Sequence, residues 1–246
     1  MLNDAYLREV QRMLAEVAAT QGGPISQAAD LIAASIADGG VVHLFGCGHS
    51  QMLTEEVFYR AGGLACVNPI LDAGLALSGG AAKSSQLERM EGYGLVALSQ
   101  QDLRAGEVMV VISTSGRNPV PVDVALEARR RGLKVVALTS VAYSRAAKSR
   151  HSSGQVLCDV ADVVIDTCGV PGDAVLGLPG VAVKFSPVST VIGAAVLNAV
   201  MARVVELLVE RGVEPPIFLS GNLDGADARN MALVEKYRAR AGRLSL

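Results

Sequence analysis

The sequence contains no tryptophan, and aromatic residues make up only 4% of its 246 positions. A core without large aromatic side chains must be built from aliphatic ones, and 50% of the residues are hydrophobic. This composition favours close packing of helices on a sheet over an aromatic-rich β-sandwich. The formal net charge is only -2, and no basic stripe with interleaved aromatic residues occurs. Nucleic acid is therefore not an expected partner.

The sequence also lacks the features expected of a secreted or membrane protein. The cysteines show no C-x-x-C spacing and lie in or beside apolar runs, as reduced thiols usually do. The N-terminus lacks a basic segment followed by an apolar one, so no signal peptide is expected. Residues 188–209 resemble a transmembrane helix in their apolarity, but they include Asn198, Arg203 and Glu206, which are costly in lipid. We expect a cytoplasmic protein without a membrane segment, in which 188–209 form a core or interface helix.

The spacing of apolar residues predicts the architecture. Residues at helical spacing predict two leading helices, one up to about residue 20 and one over 25–37. Short, continuous apolar runs then alternate with helical stretches, and the predicted strands are 41–45, 64–70, 108–112, 134–138 and 162–166. Fully apolar strands separated by helices indicate a parallel sheet that is covered on both faces. The predicted fold is an α/β, three-layer αβα sandwich with a five-stranded parallel sheet.

We expect one domain over residues 1–246, without internal repeats or linkers. It comprises a helical N-terminal lead-in (1–38), an α/β core (39–225) and a C-terminal helix (226–246). Residues 72–84 are rich in Gly, Ala and Ser and poor in large apolar groups, which predicts a loop and a candidate mobile cover.

A first glycine-rich turn, 46–50, follows the first predicted strand at the edge where parallel sheets bind ligands. It is similar to a dinucleotide-binding fingerprint. However, Met52 and Leu53 stand where the third glycine or alanine is required, and no acidic residue closes the second strand. The pattern therefore disfavours a dinucleotide cofactor. The alternative to a binding role is a tight turn with a helix cap, which needs the same glycines.

A second turn, 113–119, lies between the most apolar strand and a helix with Asn118 and Pro119 at its start. Three hydroxyls, a glycine and the amides of a helix N-terminus provide donors that suit a phosphate dianion. A Gly-Lys-Ser/Thr sequence is absent, which excludes a nucleoside-triphosphate P-loop. The alternative is a common polar strand-to-helix turn, but two such turns at one sheet edge indicate a site.

The residues 112–116, Ile-Ser-Thr-Ser-Gly, resemble the phosphate-binding signature of sugar isomerase (SIS) domains, such as phosphoheptose isomerase and the isomerase half of glucosamine-6-phosphate synthase. The resemblance extends to a subfamily of single-domain phosphosugar isomerase-like proteins over residues 45–225. Its pattern is visible at 45–50, 59–63, 87–92, 115–118, 149–151 and 220–225. The resemblance implies a flavodoxin-like fold, a sugar phosphate as the ligand, no cofactor, and a homodimer with the active site near the subunit boundary.

The resemblance also implies the residues of the site. The substrate- and phosphate-binding residues implied are Gly46, Gly48, His49, Ser50, Ser113, Thr114, Ser115, Gly116 and Asn118. Glu88 is similar in placement to the catalytic glutamate of SIS isomerases and of N-acetylmuramic acid 6-phosphate etherase. It is expected to remove the proton on C2 of a hexosamine 6-phosphate.

Two further catalytic candidates are Glu91 and His151. Glu91 lies three residues after Glu88, which predicts that both carboxylates share a helix face. His151 lies on a polar loop, and the resemblance suggests ring opening or protonation by a histidine from the partner subunit. His43, inside a strand, is expected to be a satisfied core residue. No histidine or carboxylate cluster suggests a metal.

Two questions stay open from the sequence. Proton removal at C2 leads either to 2,3-elimination, as in a dehydratase or etherase, or to aldose-ketose isomerisation. The alternative to an enzyme is a non-catalytic sugar-phosphate-binding regulator, because SIS modules also serve as effector domains. The lead-in helices are too short in total for a helix-turn-helix domain, and a regulator has no need of Glu88.

Overall fold

A five-stranded parallel sheet forms the centre of the computed structural model, which describes residues 1–244. Its strand order is β2-β1-β3-β4-β5. The strands are β1 (Val42–Gly46), β2 (Val67–Ile70), β3 (Val108–Ile112), β4 (Lys134–Thr139) and β5 (Val163–Asp166). The prediction of a five-stranded parallel sheet is confirmed.

Helices precede the sheet, connect its strands and complete the chain. They are α1 (Leu2–Thr20), α2 (Gly22–Ala37), α3 (His49–Glu56), α4 (Ala81–Leu87), α5 (Tyr93–Leu98), α6 (Pro119–Arg130), α7 (Val141–Ala146), α8 (Leu157–Val160), α9 (Ser189–Glu210) and α10 (Ala226–Tyr237). Short 3-10 helices occupy Leu77–Gly79 and Gly242–Leu244. A small antiparallel hairpin, β6 (Ala174–Leu176) and β7 (Phe185–Pro187), precedes α9.

The side chains of each strand alternate between two cores. In β3, Val108, Val110 and Ile112 belong to the core that contains buried residues of α1, α2, α9 and α10. Met109 and Val111 belong to the opposite core, where most of the buried helical residues come from α6. Because successive strand residues point to opposite faces, a continuous apolar run needs helices on both sides. This confirms the predicted three-layer αβα sandwich with its helical lead-in.

Helix α9 is long and apolar enough to cross a membrane by length and composition alone. Half of its apolar window is buried inside the molecule, and the helix packs on α2 and α3. Its outward side carries small and apolar residues, among them Val191, Ala195 and Ala202. The burial supports the interpretation of this segment as a core helix.

The segment 72–84 is more ordered than its composition predicts. It contains the 3-10 helix and the start of α4, so the expectation of a plain loop was wrong. The reason is a polar anchor: the Asp72 carboxylate accepts hydrogen bonds from the amides of Gly74 (2.7 Å) and Leu75 (3.1 Å). Leu75 is fully buried, so one large apolar side chain is enough to hold this Gly-, Ala- and Ser-rich segment against the core.

Other elements were not predicted, and one boundary differs. The hairpin β6–β7 and the short helices α5, α7 and α8 are too brief for a periodic pattern to reveal them. The predicted C-terminal helix over 226–246 ends at Tyr237, and its positions 245 and 246 lie outside the described residues.

A buried polar network lies at the other end of the sheet, where β1 and β3 begin. The Glu107 carboxylate accepts hydrogen bonds from the Val41 amide (3.1 Å) and from His43 Nε2 (2.9 Å). It also accepts hydrogen bonds from the Arg104 amide (3.0 Å) and from the Arg240 guanidinium (2.7 Å). His43 is fully buried with its other ring nitrogen bonded to Asn68, which confirms that it is a satisfied core residue.

Candidate functional site

A cavity of about 360 Å³ opens where β1 and β3 end, a volume within the usual range for small-molecule sites. Its walls come from both glycine-rich turns, the cover segment, α4, α7 and the start of α9. The predicted site residues that line it are Gly48, His49, Ser50, Glu88, Ser113, Thr114, Ser115 and Asn118. Gly46, Gly116, Glu91 and His151 do not line it.

The first turn needs its glycines for backbone reasons. Gly48 has φ +57 at the N-cap of α3, and its amide donates to the Leu75 carbonyl (2.9 Å). Gly46 lies against Ser50, where a Cβ would come within 2.5 Å of the backbone carbonyl. Both glycines thus allow the backbone of the turn to place His49 and Ser50 at the cavity. Gly46 itself does not line the cavity.

The second turn presents its hydroxyl groups to the cavity. Gly116 adopts φ +59, and its amide donates to Ser113 Oγ (3.2 Å). A Cβ on Gly116 would lie 2.9 Å from Ser144 Oγ, so the turn closes tightly on α7. Within residues 1–244, no hydrogen bond uses the amides of Thr114 and Ser115. The turn therefore offers hydroxyl and loop-amide donors; we call residues 113–115 the hydroxyl cradle.

The amides of helix α6 do not contribute to this cradle, contrary to the sequence-based expectation. Pro119 and Pro121 have no N–H group, and the Val120 amide donates to the Glu88 carbonyl (3.3 Å). The first turn of α6 therefore has no amide left for a phosphate. Asn118 does not cap the helix either, because its Oδ1 accepts a hydrogen bond from the Arg150 guanidinium (2.8 Å).

Glu88 follows directly after α4, and its side chain lines the cavity. Its amide donates to the Ser84 carbonyl (2.9 Å), and its carbonyl accepts from Val120, so the backbone is held on two sides. Within the described residues, the Glu88 carboxylate makes no hydrogen bond. It is free to act as an acceptor for a group bound in the cavity.

The thiol of Cys47 lies at the same place but is not activated. Burial, reinforced by the negative charges of Glu88 and Asp72, raises the pKa of Cys47 well above its usual value. The side chain therefore stays a neutral thiol near pH 7, and nucleophilic catalysis by a thiolate is disfavoured. The chemistry of the cavity rests on its carboxylates and hydroxyls.

Glu91 and His151 lie together beside the cavity. The prediction that Glu91 shares a helix face with Glu88 was wrong, because α4 ends at Leu87. The Glu91 carboxylate instead accepts hydrogen bonds from the amide (2.9 Å) and hydroxyl of Ser152, and these bonds lower its pKa. His151 Nε2 lies 3.2 Å from Asp123 Oδ1 and 3.7 Å from Glu91 Oε1.

Asp123 joins these groups to the segment that carries Glu88. Its buried carboxylate accepts hydrogen bonds from the amides of Gly92 (2.7 Å) and Gly94 (3.4 Å) as well as contacting His151. Residues 88–94 are thus fastened to α6 and to the loop of His151; we call Asp123, His151 and Glu91 the latch. Sequence reasoning missed Asp123, since one acidic residue in a helix carries no distinguishing pattern.

We expect Asp123→Asn to make amide hydrogen exchange at Gly92 and Gly94 about tenfold faster, because both amides lose a charged acceptor. The asparagine side chain would also direct an N–H donor either at one of these amides or at His151. Hydrogen exchange followed by NMR measures the change. Asp162→Asn is the matched control, since Asp162 also accepts a backbone hydrogen bond, from Val135 (2.8 Å), and it should leave exchange at Gly92 and Gly94 unchanged. Unchanged exchange at both glycines in Asp123→Asn would contradict the role of Asp123 in fixing residues 88–94.

The cavity also contains residues that sequence reasoning did not single out as site residues. Those with a polar side chain are Ser84, Ser85, Tyr143, Asp173, Ser189 and Thr190. The Asp173 carboxylate accepts a hydrogen bond from the Ser189 amide (2.8 Å) at the start of α9. Ser84 belongs to the candidate cover segment 72–84, and Ser85 directly follows it. Residues 167–188 had no periodic pattern that could have located Asp173.

Comparison with known proteins agrees with this geometry. A family model described as the SIS domain matches residues 5–140. The chain belongs to the SIS domain family. This SIS-domain protein is 50% identical over 240 residues to UPF0309 protein GK1441 of Geobacillus kaustophilus, covering 98% of this chain and 95% of the relative. It is 49% identical over 240 residues to UPF0309 protein TTE0306 of Caldanaerobacter subterraneus, covering 96% and 98%.

Solved structures with the same fold include two phosphoheptose isomerases. The enzyme GmhA from Neisseria gonorrhoeae has a TM-score of 0.52 at 19% identity, covering 84% of this chain and 98% of its own. The enzyme from Francisella tularensis has a TM-score of 0.52 at 17% identity, covering 84% and 96%. These likenesses show that the SIS-domain protein has the fold of phosphosugar isomerases.

Proposed function

We propose that this protein is a sugar-phosphate enzyme that acts on a hexosamine 6-phosphate by removing the proton on C2. The observation that supports the proposal is the meeting of the Glu88 carboxylate and the hydroxyl cradle in one cavity. The shared fold with phosphoheptose isomerases is consistent with a phosphorylated sugar as the ligand. A carboxylate without a partner and a cluster of neutral donors are the two groups that this chemistry requires.

In the proposed complex, the phosphate accepts hydrogen bonds from Ser113, Thr114 and Ser115 and from the free amides of the cradle. His49 and Ser50 on the first turn bind sugar hydroxyls. The Glu88 carboxylate takes the C2 proton beside the C1 carbonyl of the open-chain sugar, which leaves an enolate whose C2 carries the sugar nitrogen. We place Glu91 and His151 in the latch that positions Glu88, since neither lines the cavity.

The enolate has two outcomes, and we favour the first. In elimination, the C3–O bond breaks, the departing oxygen takes a proton, and an unsaturated sugar phosphate remains. In isomerisation, protonated Glu88 returns its proton to C1 and gives an imine at C2. Water then hydrolyses this imine to a ketose, and the C2 nitrogen leaves as ammonia. The preference for elimination rests on the segment of Glu88, directly after the short helix α4. This segment resembles that of N-acetylmuramic acid 6-phosphate etherase more than that of phosphoheptose isomerase.

We also propose that the protein acts as a homodimer. The outward side of α9 exposes Val191, Ala195, Ala202 and Val209 beside the polar Asn198 and Glu206, and the first two lie near the cavity end of the helix. Apolar residues along one exposed helix face are typical of a subunit interface. Pairing through this face would bring the cavity close to the subunit boundary.

The proposal is tested by thermal shift with a panel of hexose and hexosamine 6-phosphates, followed by assay of any ligand that stabilises the protein. We expect a hexosamine 6-phosphate to raise the melting temperature and its unphosphorylated sugar to have no effect. Ultraviolet absorbance detects an unsaturated product, and NMR detects a ketose. Stabilisation without turnover of any ligand would identify a regulator. A panel without any stabilising sugar phosphate would contradict the proposal as a whole.

A further inference from the structure

Three arginines cluster at the rim of the cavity, outside its lining. The Arg150 guanidinium donates to Asn118 Oδ1 (2.8 Å), and Asn118 itself lines the cavity. The Arg150 amide donates to the Arg117 carbonyl (2.9 Å), and Arg117 Nε donates to the Lys148 carbonyl (2.9 Å). Arg89 directly follows Glu88 in the chain. We call Arg89, Arg117 and Arg150 the arginine rim.

The arginine rim has no carboxylate partner within residues 1–244. Elsewhere on the described surface, most exposed arginines pair with an acidic side chain, as Arg130, Arg145 and Arg238 do. Arg8 and Arg243 also lack a carboxylate partner, but neither lines the cavity. The chain has more acidic than basic residues, 24 against 22, so unpaired cations are not forced by composition. Their grouping beside the cavity indicates an anion that the protein itself does not provide.

The three charges also act on one another. Desolvation, followed by the positive charges of Arg117 and Arg89, lowers the pKa of Arg150, and the negative charge of Glu88 opposes this shift only in part. A guanidinium nevertheless stays protonated in proteins, so a net repulsion among the three arginines persists until an anion binds. Guanidinium groups favour carboxylates and phosphates because their donors match two oxygens at once. The arginine rim is therefore suited to an anionic group of either kind.

This anion is separate from the one in the hydroxyl cradle. Arg117 is turned toward Lys148, and none of the three arginines lines the cavity. Asn118 stands between the two places: Arg150 occupies its Oδ1 and leaves its amide group as a donor. We propose that the arginine rim binds a second anionic group, a carboxylate or second phosphoryl group, of a ligand whose first phosphate lies in the hydroxyl cradle. This inference rests on the proposed function of that cradle.

The test compares probes with one and with two anionic groups by calorimetry. Glucose 6-phosphate carries one, whereas 6-phosphogluconate and fructose 1,6-bisphosphate carry two. We expect at least one of the two-anion probes to bind about tenfold or more tightly than glucose 6-phosphate, as a charge-assisted contact provides. The variant Arg89→Gln/Arg117→Gln/Arg150→Gln should bring that ratio to within about twofold, with glucose 6-phosphate affinity nearly unchanged.

Two further variants separate the effect of the arginine rim from a general loss of charge or of folding. The matched control Arg12→Gln/Arg130→Gln/Arg238→Gln removes three charges from paired surface arginines and should retain the preference. The double variant Arg89→Gln/Arg117→Gln keeps the Arg150–Asn118 bond and should lose most of the preference even if the triple variant folds poorly.

Several results would overturn the inference. Equal binding of one-anion and two-anion probes to the wild type would do so. So would a triple variant that weakens glucose 6-phosphate as much as the other probes, because the arginines would then serve the first phosphate. Binding of glucose 6-phosphate with no preference overturns the inference and leaves the proposed function standing. No binding of any of the three probes also overturns the inference, and the proposed function is then decided by the thermal-shift panel of hexosamine 6-phosphates.

Discussion

Glu88→Gln is expected to abolish measurable turnover of the sugar phosphate, with a loss of about 10²–10⁴-fold, while ligand affinity stays nearly unchanged. Glutamine has almost the same shape as glutamate, but its amide cannot accept the C2 proton. The wild-type carboxylate lines the cavity and makes no hydrogen bond within the described residues, so the substitution breaks no internal contact. Steady-state kinetics measure the loss, and calorimetry with the substrate or an unreactive analogue measures binding.

Two other variants control this experiment. Glu235→Gln removes an exposed carboxylate on α10 that pairs with Arg238, and it should leave turnover unchanged. Glu91→Gln distinguishes the two neighbouring candidates, because Glu91 is held by Ser152 and does not line the cavity. A larger loss for Glu91→Gln than for Glu88→Gln would reverse the assignment. Full activity of Glu88→Gln would show that Glu88 does not abstract the C2 proton.

The second large effect is expected on stability, from Glu107. Burial alone would raise its pKa, but hydrogen bonds from His43, the Arg104 amide and Arg240 outweigh burial and hold the pKa at about 2. The folded-state pKa is thus below the unfolded value near 4.5. The carboxylate therefore contributes stability above pH 4.5, and this contribution is lost as pH falls toward 2. A difference of this size corresponds to about 3 kcal/mol of unfolding free energy.

We expect Glu107→Gln to lower the free energy of unfolding at pH 7 by about 3 kcal/mol, because an amide leaves the buried donors without a charged acceptor. Urea unfolding at pH 7 and at pH 3 measures the effect, and the gap between wild type and variant should narrow at pH 3. Glu235→Gln again serves as the control on an exposed position. A gap that is the same at both pH values would show that Glu107 does not carry this pH dependence.

The site could be predicted from sequence only in part. The two turns were found because glycine and hydroxyl residues directly follow apolar strands, and parallel strands place their ends at one edge. Pro119 and Pro121 were visible in the sequence, and because both lack an N–H group they leave Val120 as the one amide donor among residues 119–121. Only the structure shows that this amide donates to the Glu88 carbonyl instead. Glu91 was misplaced because no local signal showed that α4 ends at Leu87.

Neighbouring residues alone determined the strands, the parallel sheet and the positions of the two turns, since apolar runs and turn chemistry act over a few residues. Only the tertiary structure decided which groups meet: Asp123 with Gly92, Arg150 with Asn118, and Glu107 with His43 and Arg240. These partners lie about thirty or more positions apart in the chain. Their contacts depend on how the helices and loops pack on the sheet. The spacing of apolar residues along the chain does not predict that packing.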